Sequence, residues 1–516
     1  MVKKIALMPA LLLIVAALSA QRPVSPIRSV LLRGPYLQAV TPTSAVVRWR
    51  TDVLTRGIVH FGRSADFLDR NVQDTVLGTE HQLRLEGLQP YTRYFYSIGS
   101  FKDTLQIGPN NYFMTLPTPG TEAMYRIAAV GDCGNNSVNQ RNVRDALLKY
   151  LGGYYLNAWI LLGDNAYSTG RDAEFQSNFF NVYKDNLLPK YPLYPSPGNH
   201  DYYDGDSTEE KVQHTHQVAY FHNFTMPVNG EAGGVPSHNP AFYSWDLGNI
   251  HFLSLDSYGI EQDQYRIYDT LGPQVQWIKQ DLDAYQHKGW VIAYWHHPPY
   301  TMGSHNSDHE SELVHIRENF IRILERYGVD LIICGHSHDY ERSQLIKGHY
   351  GLETSWDSSS YVVQHSSGRY DGSPNSCPFL KDPANSYSGT VYIVSGSAGQ
   401  LGGKQASFPH DALPYSDATH GGSGMLEIQG DRLDWKWICA DGEIRDHFTM
   451  IKNTRSPHIV TATKGESVTL TAPFSGTWSN KATGSSITVK VSGNKVYTVK
   501  DASGCVQERF EVQVPK

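Results

Sequence analysis

The sequence predicts an α/β fold with a β-rich module on either side of it. Five short blocks of oxygen and imidazole donors lie in order along the chain. They are Asp132-Cys133-Gly134, Gly163-Asp164-Asn165-Ala166-Tyr167, Gly198-Asn199-His200-Asp201, His296-His297 and Gly335-His336-Ser337-His338. Four of the five follow an apolar or β-branched run that reads as a buried strand, so the donors fall where strands end and loops begin. Helical spacings separate these runs, and strands alternating with helices imply crossover units. Outside this region the apolar pattern changes to period-two runs, as half-buried β-strands require.

The elements follow in chain order. Residues 1–20 read as a signal peptide: Lys3 and Lys4 precede an apolar stretch over 5–17, and the small Ser19 and Ala20 offer a cleavage point. That stretch is shorter than the roughly 20 apolar residues of a membrane span, so no transmembrane segment is expected once it is removed. No cysteine adjoins the cleavage point, which argues against a bacterial lipoprotein anchor. The address is secreted, periplasmic or cell-surface.

Residues 30–118 alternate short strands with turns. The run 44–50 is β-branched at its centre, Trp49 is its core aromatic, and 88–96 has the pattern of a tyrosine-corner stretch. Residues 122–453 carry the donor blocks. Strands are expected at 125–130, 158–162, 290–295 and 331–334, and a helix at 143–151. Leu313, Ile316, Phe320, Ile323, Leu324 and Tyr327 recur at helical spacing and mark a second helix. A long Gly/Ser/Tyr-rich stretch, 348–388, begins soon after His338 and is expected to wall the substrate pocket before a strand at 390–394. Residues 456–516 turn to Thr, Val, Ser and Gly around Trp478 and resemble small immunoglobulin-like modules of bacterial surface proteins. They offer either a passive stalk or a cell-surface or glycan contact.

Composition narrows the function classes. The chain of 516 residues carries a net charge of −7 and no long basic run, so a nucleic-acid scaffold is not indicated. Its five cysteines are scattered. Cys334 sits inside an apolar strand, and Cys133 occupies a variable position of the first block. One disulfide is open to Cys377, Cys439 and Cys505 in an oxidising compartment, with the pair undetermined.

Carboxylate, amide, phenol and imidazole together suit two cations such as iron, zinc or manganese better than calcium or a thiolate-bound zinc. Singly each block has a plainer explanation, since Asp-x-Gly is commonly a turn. Jointly, in order and at strand ends, they read as a dinuclear hydrolytic site. His214, His216, His222 and His251 belong to no block.

The blocks resemble the signature of the metallophosphoesterases in its purple acid phosphatase form: DxG, GDxxY, GNH[DE], a histidine block and GHxH. Tyr167 marks that branch, and the likeness runs from about residue 31 to 452. The resemblance implies a four-layer α/β/β/α sandwich preceded by a fibronectin type III-like domain. That domain is expected to pack on the catalytic one rather than to bind a partner. It also implies a ligand set: Asp132, Tyr167 and His338 for one metal, Asn199, His296 and His336 for the other, and Asp164 as the bridge. The phenolate favours iron(III), paired with a divalent iron, zinc or manganese.

His200 follows a ligand directly and should contact a phosphoryl oxygen or protonate the leaving group, with Asp201 orienting it. The family's second phosphate-binding histidine falls on His305, with His309 as competitor. His297, a serine in many plant members, adds an imidazole on the substrate side. The implied activity is hydrolysis of a small phosphate monoester by a metal-bound hydroxide. The alternatives are a phosphodiesterase or nucleotide hydrolase with the same site, or a surface-binding protein with a scaffold phosphoesterase domain.

Overall fold

A computed structural model describes residues 28–204, 212–285, 289–382, 388–454 and 456–515. The expected signal peptide, 1–20, lies outside the described residues. Two mixed sheets pack face to face with helices outside each, giving the α/β/β/α sandwich. The first sheet runs Phe379–Lys381, Ile444–Lys452, Arg432–Cys439, Gly422–Gln429, Met124–Val130, Ala158–Leu162, Leu193–Ser196, Leu31–Gln38, Ala45–Thr55 and Gly78–Leu85. The second runs Tyr243–Leu247, Ile250–Ser254, Trp290–Trp295, Leu331–Cys334, Val391–Ser395, Tyr340–Arg342 and Tyr415–Asp417.

Strand periodicity explains the layering. Along Trp290–Trp295, residues Trp290, Ile292 and Tyr294 enter the core between the sheets, while Val291, Ala293 and Trp295 enter the core under the outer helices. Leu331 and Ile333 alternate with Ile332 and Cys334 in the same way. Such strands are apolar on both faces because both faces are covered. The helix expected at 143–151 starts earlier, at Val138–Leu151, because Ser137 caps it by accepting the Gln140 amide hydrogen. The second expected helix is broken into Ser311–His315, a π-helical turn Ile316–Phe320 and Ile321–Arg326. None of the described helices is long and apolar enough to cross a membrane.

The N-terminal β-module is not a separate bead. One of its sheets continues the catalytic sheet, with Leu31–Gln38 parallel to Leu193–Ser196 and Gln38 opposite Leu193. Its Tyr94 Oη accepts the Gln89 amide hydrogen at 3.0 Å, the bond that a tyrosine corner makes. The C-terminal strands form a sheet of their own, in the order His458–Thr461, Gln507–Gln513, Lys495–Asp501, Ser467–Trp478 and Thr483–Lys490. Cys377 and Cys505 are bonded, and Cys439 is free and buried.

The described residues of the stretch from 348 to 388 do not wall the donor site, contrary to the sequence expectation. Its Phe379–Lys381 joins the edge of the first sheet, Cys377 bridges to the C-terminal module, and Tyr370 Oη meets Asp501 there at 3.2 Å. Apolar and disulfide contacts to that module outcompete a route over the cleft.

Candidate metal centre

All five blocks lie at the carboxyl ends of parallel strands. Met124–Val130, Ala158–Leu162 and Leu193–Ser196 run parallel in one sheet, and Ile250–Ser254, Trp290–Trp295 and Leu331–Cys334 in the other. Their ends converge on one buried spot. Asp132, Asp164 and His336 leave their strands with φ of 56°, 52° and 69°, a left-handed backbone that non-glycine residues rarely hold. The glycines of the blocks make room for the donors. A Cβ on Gly198 would sit 2.3 Å from Asp164 Oδ1, and one on Gly335 would sit 2.5 Å from Asp132 Oδ2.

The donors form two adjoining groups. Tyr167 Oη is 3.0 Å from each of Asp132 Oδ1, Asp164 Oδ2 and His338 Nε2. His296 Nε2 is 2.9 Å from Asn199 Oδ1, 3.2 Å from His336 Nδ1 and 3.3 Å from Asp164 Oδ2. Asp164 Oδ2 thus belongs to both groups. All seven expected ligands meet here, and Asp132 and Asp164 are buried. Cys133 stays out, its thiol pushed up to about 12 by burial.

Outer contacts aim these atoms. His296 Nδ1 donates to the Leu162 carbonyl at 2.9 Å, which turns Nε2 to the cluster. The His200 amide donates to Asp164 Oδ1 at 2.9 Å. Asp204 accepts a hydrogen from Asn199 Nδ2, so the Asn199 carbonyl faces His296.

The electrostatics fit cations. Burial opposes charge on Asp164, yet the imidazoles of His296, His200 and His336 hold its carboxyl well below the usual range. Burial also opposes charge on His296, but Asp164 and Asp132 push it up to about 9. Burial, with Asp132 and Asp164 beside it, drives the Tyr167 phenol well above 10, so its proton now bridges two carboxylates. His336 Nε2 has no hydrogen-bond partner among the described residues, its nearest carboxylate, Glu310 Oε2, lying 3.5 Å away. Two buried carboxylates around one phenol, with imidazoles converging on them, are a donor set suited to cations. Asp132, Asp164 and His296 together meet the spacing of a metal-ligand group.

The other expected residues divide. His200 Nδ1 lies 2.6 Å from the Ser168 carbonyl, and its Nε2 is 3.9 Å from Asp164 Oδ2. Asp201 was expected to orient His200, but its carboxylate accepts from the Asn165 amide, Asn165 Nδ2 and the Gly198 amide. Its role is to hold the second and third blocks together, and burial and the Asp164 charge push it up to about 7. The Ser168 carbonyl orients His200 instead. His305 reaches the site, its ring 3.7 Å from that of His336, and Nδ1 pairs with Glu310 Oε2 at 2.8 Å. His297 is buried, its ring 4.3 Å from His336 and its Nδ1 2.9 Å from Ser257 Oγ.

Glu310, Asp204, Ser257 and Tyr258 escaped the sequence reading. Glu310 had a weak signal, five residues past His305, but Asp308 and Glu312 were equal rivals. The others join the site only through folding.

A family model described as calcineurin-like phosphoesterase matches residues 125–340, and one described as purple acid phosphatase, N-terminal domain, matches residues 34–115. The chain is 29% identical over 288 residues to purple acid phosphatase 15 of Arabidopsis thaliana, covering 52% of this chain and 50% of that protein. It is 28% identical over 290 residues to purple acid phosphatase 23 of the same plant, covering 52% and 58%. The chain therefore spans about half the length of these curated relatives. Among solved structures, purple acid phosphatase PPD1 from yellow lupin seeds superposes with a TM-score of 0.63 at 17% identity, covering 83% of this chain and 75% of that one.

Proposed function

We propose, from its membership of the calcineurin-like phosphoesterases in their purple acid phosphatase branch, that this protein is an exported dinuclear-metal phosphatase acting on phosphate monoesters. The observation that carries the reading is the meeting of Tyr167 Oη with Asp132, Asp164 and His338 beside the group around His296. Asp132, Tyr167 and His338 would hold iron(III). Asn199, His296 and His336 would hold a divalent iron, zinc or manganese, with Asp164 shared. Bound there, two cations supply charge neutralisation for the phosphoryl oxygens and a hydroxide nucleophile at moderate pH.

The chain's own groups handle substrate and protons. The His200 Nδ1 hydrogen is committed to the Ser168 carbonyl, so Nε2 is the nitrogen left to face a phosphoryl oxygen or the departing alcohol. Ser257 Oγ accepts the His297 amide hydrogen at 3.1 Å, which leaves its own hydrogen for Nδ1. Burial and the neighbouring His336 and His296 hold His297 well below 6.5, so it is neutral with its proton on Nε2. His297 and His305 then line the side where the ester enters. The basic-apolar N-terminal segment and the Cys377–Cys505 bond support export to an oxidising compartment.

Initial rates of metal-replete protein on p-nitrophenyl phosphate and its bis-ester, compared across pH, test this reading. Strong preference for the monoester is expected. Preference for the bis-ester would replace the phosphatase by a diesterase, and no rate on either would refute both.

A further inference from the structure

The cleft over the donor cluster has a volume of about 370 Å³. Beyond metal ligands and imidazoles, its wall is made by Asp204, Tyr258, Glu310, Glu312 and Leu313. Among the described residues no lysine or arginine lines it. Glu310 is engaged by His305, and Asp204 gives one oxygen to Asn199. Glu312 is partly exposed and makes no hydrogen bond or ion pair with the described residues, its electrostatic neighbour being Tyr268.

Tyr258 is the second, independent sign. It is only 8% exposed, its ring stacks on His297 with centroids 5.6 Å apart, and it lines the cleft. Its hydroxyl forms no hydrogen bond with the described residues, although its backbone amide is held by Asp256. Buried tyrosines normally pair their hydroxyl. The Tyr258 hydroxyl, with no hydrogen bond to the described residues, is available to a ligand in the cleft.

We infer that this cleft selects small phosphate monoesters whose leaving alcohol carries a primary amine, the ammonium lying between the Glu312 and Asp204 carboxylates and the Tyr258 hydroxyl. The inference rests on the monoesterase reading above. Cations held by the donor cluster would answer the phosphate, which leaves the outer wall free to recognise the other end of the molecule. Among the described residues the wall carries carboxylates and no lysine or arginine, which disfavours nucleotides or polyphosphorylated esters and attracts an ammonium. The reaction remains hydrolysis: water adds at phosphorus, the phosphorus–oxygen ester bond breaks, and the amino alcohol leaves with a proton.

The test compares kcat/KM for phosphoethanolamine, glycerol 3-phosphate and 3-phosphoglycerate, whose leaving groups are cationic, neutral and anionic, with p-nitrophenyl phosphate alongside. Phosphoethanolamine is expected to exceed glycerol 3-phosphate about tenfold, and 3-phosphoglycerate to be slowest, as two or three partly buried polar contacts would give. The advantage should shrink in high salt. Glu312→Gln and Tyr258→Phe should each cut the phosphoethanolamine-to-glycerol-phosphate ratio about three- to fivefold, mainly through KM. Equal rates on the three esters, or preference for the anionic one, overturn the inference while p-nitrophenyl phosphate is still hydrolysed. Failure on p-nitrophenyl phosphate overturns instead the monoesterase reading beneath it.

Discussion

His251 → Gln should cost stability in a pH-dependent way. His251 lies wholly buried in Ile250–Ser254, with Nδ1 2.7 Å from Asp246 Oδ1 and Nε2 2.7 Å from Asp281 Oδ2. Its ring stacks on Tyr285 at 4.3 Å. Burial alone would keep the imidazole neutral, but the two carboxylates overcome it and raise the group from 6.5 to about 9. At roughly 1.4 kcal/mol per pKa unit, that rise is worth about 3 kcal/mol. The folded value lies above the unfolded one. The contribution is therefore whole below about pH 6.5 and is lost as pH rises through about 9. A glutamine cannot carry the charge and leaves two buried carboxylates poorly compensated. The variant should be about 3 kcal/mol less stable near pH 6, with the gap narrowing steadily toward about pH 10. Urea unfolding followed by tryptophan fluorescence reads this sheet, since Trp245 lies opposite Phe252 in the adjoining strand. A gap that does not change with pH would refute the buried imidazolium.

Other expectations are more local. Asp164→Asn should lose bound metal and turnover together, because both donor groups share that carboxylate; elemental analysis beside rates on p-nitrophenyl phosphate checks it. His200→Ala should keep its metal and lose about 100-fold or more in kcat, and retained turnover would remove His200 from the chemistry. Tyr167→Phe should abolish the visible absorption of a phenolate–iron(III) pair in the metal-replete protein, so an unchanged spectrum would exclude that ligand. Asp330→Asn should lower stability by about 3–5 kcal/mol, because buried Asp330 pairs Lys381 Nζ at 3.2 Å and Lys452 Nζ at 2.6 Å across the two sheets. Thermal melts of the variant measure the loss.

The strands under the donor blocks were legible because each is short, apolar on both faces and followed at once by its donors. Ala158–Leu162, Trp290–Trp295 and Leu331–Cys334 sit where the pattern puts them. The helix around Leu313 was legible on its buried face, but its π-turn was not, because an extra residue per turn leaves the apolar spacing nearly intact. The convergence of the seven donor residues was readable, since each block sets a fixed residue type at the end of a strand. Asp201 misled because adjacency to His200 in sequence says nothing of direction, and after a tight turn successive side chains point to different partners. The stretch from 348 to 388 misled for a related reason. Its path is set by Cys377, whose partner Cys505 lies 128 residues away, and by Phe379, which pairs with Met450 in the Ile444–Lys452 strand.

The N-terminal module bears on the chemistry through a chain of contacts that no single motif contains. Arg33 and Arg50 leave that module to grip Asp172, with Nη2 of each 3.0 Å from Oδ1. Burial works against the Asp172 charge, but the two guanidinium groups bring it down to about 2. Asp172 opens the short helical turn that carries Glu174, and Glu174 accepts the amide hydrogens of Ser168 at 2.7 Å and Thr169 at 3.0 Å. Ser168 in turn presents the carbonyl that fixes His200 Nδ1. The loop that orients His200 is thus braced from the far side by charges belonging to the N-terminal module. The module also joins the catalytic sheet directly, where Gln38 lies opposite Leu193. Arg33 is buried and committed inward. The module is better understood as the outer wall of the catalytic domain, placed so that the imidazole beside the metal ligands has one orientation.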